Sequence, residues 1–203
     1  MLTEADFFRA AKKLGCKLSR IKAVYWVETA GNGYLSDGRV KILFEGHRFW
    51  KALVKAGKNP SQFLKDYEGF GNVLYPEWDK TQYKGGASEW ERVSKAIEVC
   101  KLLEVDPVLA LDSASYGSFQ IMGENAKMCG YGNSHEMLAA FNAKGEADQL
   151  DAFCNFITAK GLVSALIAGD WKTFAKGYNG TQYRKNMYDT KLAAFDLKYS
   201  KAA

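Results

Sequence analysis

The chain has only two histidines, His47 and His135, and they lie far apart. Its four cysteines, Cys16, Cys100, Cys129 and Cys154, form no Cys-X-X-Cys pair and follow no zinc-ligand spacing. These shortages argue against a metal centre and against a Cys/His catalytic pair, so neither metal nor cofactor is expected. Long apolar runs are missing too, and no stretch has the length to cross a bilayer, so stable membrane insertion is not expected. The first residues, MLTEADFFRAAKKLG, carry acids early and lack the apolar core and small-residue cleavage site of a signal peptide. Synthesis in the cytoplasm with reduced cysteines is the expectation, with Cys100 and Cys154 buried on apolar helical faces. A dense basic run is absent, which argues against nucleic acid as a partner.

A mild excess of positive charge is present: the net charge is +5 and the pI about 8.9. Such a balance draws a protein towards anionic polymers. The 203 residues show no repeat, linker or composition shift. One domain over residues 1–203 is expected, without a separate wall-binding module.

Most of the chain reads as helix. Thr3 and Asp6 form the caps of a first helix that Gly15 stops. Ser19 is the expected N-cap of a second, stopped by Gly31. Further helices are expected over 47–56, 88–104 (with a Ser88/Glu91 capping box), 107–112, 134–141, 146–159, 162–168, 170–176 and 189–199. Residues 58–86 combine Pro60 and Pro76 with many aromatics and little periodicity. They read as a packed irregular loop, or as one wall of a groove.

The chemistry concentrates in VETAGNGYLSDGRVKILFEGH, residues 27–47, which holds three acids. Glu28 falls in the last helical turn, at the negative end of the macrodipole, where a carboxylate is disfavoured. Half-burial by neighbouring aromatics raises its pKa, which suits a general acid. Gly31-Asn32-Gly33 and Ser36-Asp37-Gly38 are turn signals. Val40, Ile42 and Phe44 then alternate with Lys41, Leu43 and Glu45, placing Glu45 on the face away from the core. A hairpin folding back over the helix end brings either Asp37 or Glu45 to Glu28. Two carboxylates about one bond are the apparatus of glycoside hydrolysis.

The same stretch resembles the bacteriophage and bacterial N-acetylmuramidases, a family of lysozyme-like endolysins. The residues that carry the resemblance are Val27-Glu28-Thr29, Gly31-Asn32-Gly33-Tyr34-Leu35, Asp37-Gly38-Arg39, Lys41-Ile42-Leu43-Phe44-Glu45, His47 and Phe49. Farther on come Ala114-Ser115-Tyr116-Gly117-Ser118-Phe119-Gln120-Ile121-Met122-Gly123, Gly177-Tyr178-Asn179-Gly180 and Tyr188-Asp189-Thr190-Lys191-Leu192-Ala193-Ala194. The resemblance implies a predominantly helical α+β, lysozyme-like fold with one small β-hairpin beside the catalytic helix. It implies cleavage of the glycan strand of peptidoglycan by a monomer, released to the wall with the help of a holin. The family's catalytic acid falls on Glu28 and its second carboxylate on Glu45, with Asp37 in reserve. Tyr116, Gln120, Tyr178 and Asn179 are the implied substrate contacts. Two other readings remain open: a lytic transglycosylase, which needs one acid, and a non-catalytic wall-binding or phage structural protein.

Overall fold

The computed structural model describes residues 2–29, 33–181 and 183–201. Helices dominate, and a small antiparallel sheet lies among them. In chain order the helices are α1 (Glu4–Leu14), α2 (Leu18–Thr29), α3 (Gly46–Lys55), α4 (Pro60–Asp66), α5 (Ser88–Leu102), α6 (Val108–Asp112), α7 (Ser134–Lys144), α8 (Glu146–Ala159), α9 (Val163–Ala168), α10 (Trp171–Asn179) and α11 (Tyr188–Ser200). The strands are β1 (Ile42–Phe44), β2 (Ala114–Tyr116) and β3 (Ile121–Met122).

Local signals set several boundaries as expected. Thr3 and Asp6 close a reciprocal capping box on α1, and Gly15 ends it in the left-handed conformation. The Asp170 side chain accepts from the Thr173 amide at the start of α10. Other expectations fail for identifiable reasons. Ser19 lies inside α2 and donates instead to Asp196 Oδ1 at 2.5 Å. The Ser88/Glu91 box does not form, because the loop before α5 is tied to Glu89. Residues 60–66 of the supposed loop are helical: Pro60 takes the first position and Asn59 caps it, accepting from the Gln62 amide. Gly31, the expected stop of α2, lies outside the described residues, as does Asn32 of the turn.

The sheet is larger than one hairpin. Tyr34 and Val40 do form an antiparallel bridge around the 36–38 turn. Beyond it the chain pairs with a distant segment: β1 runs antiparallel to β2, which runs antiparallel to β3. The register sorts side chains into two rows. Ile42, Tyr116 and Ile121 lie opposite one another, as do Leu43, Ser115 and Met122. The pleat sends the first row into the core. The alternation of Val40, Ile42 and Phe44 inward, with Lys41 exposed, is as the sequence reads.

Two packing features position the site. The most extensive helix–helix contact joins α2 to α11. Glu89 and Arg92, at the start of α5, form a buried ion pair at 2.8 Å. Glu89 accepts from the amides of Phe44, Lys84 and Gly85. Arg92 donates to the carbonyls of Phe44 and Asn72 and to the Tyr75 hydroxyl. This pair therefore grips both backbone groups of Phe44, the last residue of β1.

Candidate active site

Glu28 and Glu45 line the same cleft, of about 500 Å³. The cleft floor is the second row of the sheet, Leu43, Ser115 and Met122. Its walls include Trp78, Phe119, Gln120, Tyr178, Asn179, Asn186 and Tyr188.

Glu28 is brought here by α2, whose last turn meets the end of α10 and the start of α11. Among the described residues its carboxylate accepts one hydrogen bond, from Asn179 Nδ2 to Oε1 at 3.0 Å. Burial pushes its pKa up to about 7, and the Asn179 bond offsets this only in part. The cover comes from Tyr178, Tyr188 and Phe119, whereas Trp26 remains 40% exposed. An aromatic stack holds that wall. Tyr178 lies parallel to Phe174 with centroids 5.7 Å apart, and Phe119 stacks on Phe153 at 4.6 Å.

Glu45 is placed by its neighbours in the chain. Its own amide donates to the Ser113 carbonyl at 2.9 Å. Phe44 before it is gripped by Glu89 and Arg92. Gly46 after it donates to the Tyr75 hydroxyl at 3.1 Å. A Cβ at Gly46 would overlap the Tyr75 ring, so glycine is required for this close approach. The Glu45 side chain accepts from the Tyr83 hydroxyl at 2.5 Å. His47 Nδ1 lies 3.3 Å from the same oxygen, Oε2, without hydrogen-bond geometry. Burial holds the His47 pKa below its usual value against the pull of Glu45.

Asp37 stands elsewhere. It is exposed, bonded to the Arg39 side chain at 2.9 and 2.6 Å and to the Arg39 amide, and does not line the cleft. Those bonds hold its carboxyl below the usual range. Tyr116 must be corrected as a substrate contact: it is 1% exposed, and its hydroxyl donates to the Leu111 carbonyl. The cause is the pleat, which presents Ser115 to the cleft and turns Tyr116 inward. Gln120 lines the cleft, fixed by bonds to the Gly117 carbonyl and the Ser115 hydroxyl. Gly117 permits this tight turn with φ of +72°. Tyr178 and Asn179 reach the cleft from the last turn of α10, which runs beyond the expected end at 176. The Tyr178 hydroxyl is engaged by the Phe119 carbonyl at 2.8 Å, so its ring covers Glu28 while its polar end is occupied.

Sequence reasoning did not single out Trp78, Tyr83, Asn186 or Tyr188. Trp78 and Tyr83 belong to the aromatic-rich 58–86 segment, and their abundance was the available signal. Nothing local marked Glu89 and Arg92 as the support of Glu45. Among the described residues, no group of three or more His, Cys, Asp or Glu side chains could hold a metal ion. No helix there is long and apolar enough to cross a membrane.

Residues 17–200 match the family described as Muramidase: N-acetylmuramidase. No curated protein matches the sequence. Among solved structures, the endolysin of Burkholderia AP3 phage is similar, with a TM-score of 0.84 and 35% identity. That match covers 98% of this chain and 72% of the other. A family match over nearly the whole length, a shared fold, and a cleft lined by a desolvated glutamic acid and a second carboxylate agree with one another: the chain belongs to the N-acetylmuramidase family.

Proposed function

We propose that this peptidoglycan hydrolase cleaves the β-1,4 bond between N-acetylmuramic acid and N-acetylglucosamine, with Glu28 as the general acid. The observation that carries this reading is the pKa of Glu28, raised to about 7 in a cleft it shares with Glu45. A carboxyl that keeps its proton near neutrality can pass it to the glycosidic oxygen as the C–O bond breaks. Positive charge then develops on the sugar ring. Glu45 stabilises that charge or takes a proton from the attacking water. Water adds at the anomeric carbon, a new reducing end forms, and Glu28 regains its proton from solvent. Asn179 orients the acid, and Tyr83 holds Glu45. Gln120 and Trp78, which line the cleft, contact the glycan.

The rival is a lytic transglycosylase, in which a hydroxyl of the substrate replaces water. The presence of Glu45 in the cleft, held by a hydrogen bond and positioned from both chain neighbours, favours hydrolysis. Mass spectrometry of products from purified peptidoglycan separates the two. Hydrolysis yields reducing ends, whereas anhydro-sugar ends, lighter by one water, would reject hydrolysis. The protein acts as a monomer and reaches the wall after release from the producing cell, in a holin-dependent manner.

A further inference from the structure

The cleft of Glu28 does not end at the sheet. It shares Gln120, Met122 and Tyr178 with a neighbouring cavity of about 220 Å³. That cavity shares Arg48 and Glu124 with a third, of about 530 Å³, beneath α3 and α6. The three therefore adjoin one another in a row, divided by the side chains they share. The far end of the row is basic. Arg48, Lys51 and Lys55 recur at helical spacing on one face of α3, and all three line the third cavity. Lys160 lines the middle one. Of the two acids present, Glu124 is paired with Arg48 at 2.5 Å, and Asp112 remains. Lys51 and Lys55 have no ion-pair partner among the described residues. Unpaired cations at the end of a row that starts at the saccharide cleft call for an anion carried by the same polymer. In peptidoglycan every second sugar bears a short peptide stem with free carboxylates, fixed at a set distance from the bond to be cut.

Resting on the reading of the chain as a glycan-strand hydrolase, we propose that the basic end of this row binds stem carboxylates, so that stem-bearing glycan is the preferred substrate. Two probes test it: intact peptidoglycan fragments, and the same strands stripped of stems by an amidase. The wild type should cut the intact fragments about three- to tenfold more efficiently in kcat/KM, the scale of two exposed ion pairs. Lys51→Glu/Lys55→Glu should abolish that preference, lowering kcat/KM on the intact fragments by more than on the stripped strands, which keep only the lactyl carboxylate exposed by the amidase. Lys12→Glu/Lys191→Glu, which changes net charge equally at residues lining none of these cavities, should retain the preference. Equal cleavage of both substrates by the wild type overturns the proposal, as does a preference that survives in Lys51→Glu/Lys55→Glu. Loss of the preference in both double variants also overturns it, in favour of a general effect of charge. Failure of the wild type to cut either substrate rejects the hydrolase reading itself.

Discussion

Two shielded glutamates at opposite kinds of helix end, Glu89 buried and Glu28 half-buried, show how this fold assigns chemistry. Glu89 is the second residue of α5, and Glu28 is the last but one of α2. Burial works upward on both pKa values. At Glu89 the amides of Phe44, Lys84 and Gly85 and the charge of Arg92 outweigh it, and the carboxyl is held below its usual value. At Glu28 the one donor among the described residues, Asn179, does not, and the value rises to about 7. The macrodipole acts in the same sense, favouring a negative charge at the start of a helix and opposing it at the end. One glutamate is therefore a permanent anion that fixes the backbone, and the other is an acid that keeps a proton to donate.

The sharpest way to break this contrast is Glu28→Gln, which keeps the shape and removes the proton. Lysis of permeabilised cells should fall by at least ~10²-fold. Near-normal lysis by the folded variant would falsify the assignment. Next, Arg92→Leu leaves Glu89 buried without its cation. Stability should drop by roughly 3–5 kcal/mol, read by urea denaturation at neutral pH; a change below about 1 kcal/mol would mean that the three amides hold Glu89 without the Arg92 charge.

The pH dependence follows from the sign of each shift. Glu28 is protonated when folded at pH values where it ionises when unfolded. Its contribution to stability is full below about pH 4.5 and is lost as pH rises through about 7. Glu28→Gln should therefore match the wild type in acid and exceed it at pH 8 by up to about 3 kcal/mol. Parallel melting curves across that range would show that Glu28 is not desolvated. Among the other acids, Glu45→Gln should reduce turnover about tenfold or more, and Asp37→Asn less than twofold, since exposed charges away from the cleft matter little. The reverse ranking would transfer the second carboxylate role to Asp37. The smallest effect is expected from Asn179→Leu. Without its donor, Glu28 should hold its proton to higher pH, moving the alkaline limb of activity upward by about half a pH unit. A limb that moves downward would sink the orientation drawn here.

Much of this site was legible locally. The field at a helix end and the period of β1 are properties of neighbouring residues, so Glu28 and the outward face of Glu45 could be read directly. The partner of β1 could not. Its pairing with residues 114–116 depends on a contact some seventy positions away, and only that register shows that Ser115, not Tyr116, meets the cleft. Glu89 and Arg92 were hidden for a related reason. Charged residues at a helix start read as solvated surface, and only the fold reveals that backbone groups of β1 require them inside. Tyr178 and Asn179 came from the family resemblance, and the helix expected over 170–176 continues through Gly177 to carry them to the cleft.

The union of α2 with α11 bears on when the enzyme comes into being. Ser19 and Asp196, bonded across that contact, are 177 positions apart, and two of the residues that shield Glu28, Tyr178 and Tyr188, belong to α10 and α11. Contacts of such separation form late, after the entropy of closing the intervening chain has been overcome. A chain that ends before α10 contains Glu45 and its supports but lacks Tyr178, Asn179 and Tyr188 around Glu28. Without that cover Glu28 should titrate closer to an ordinary carboxyl, so a chain cut short before α11 should be inactive even where the rest of it folds.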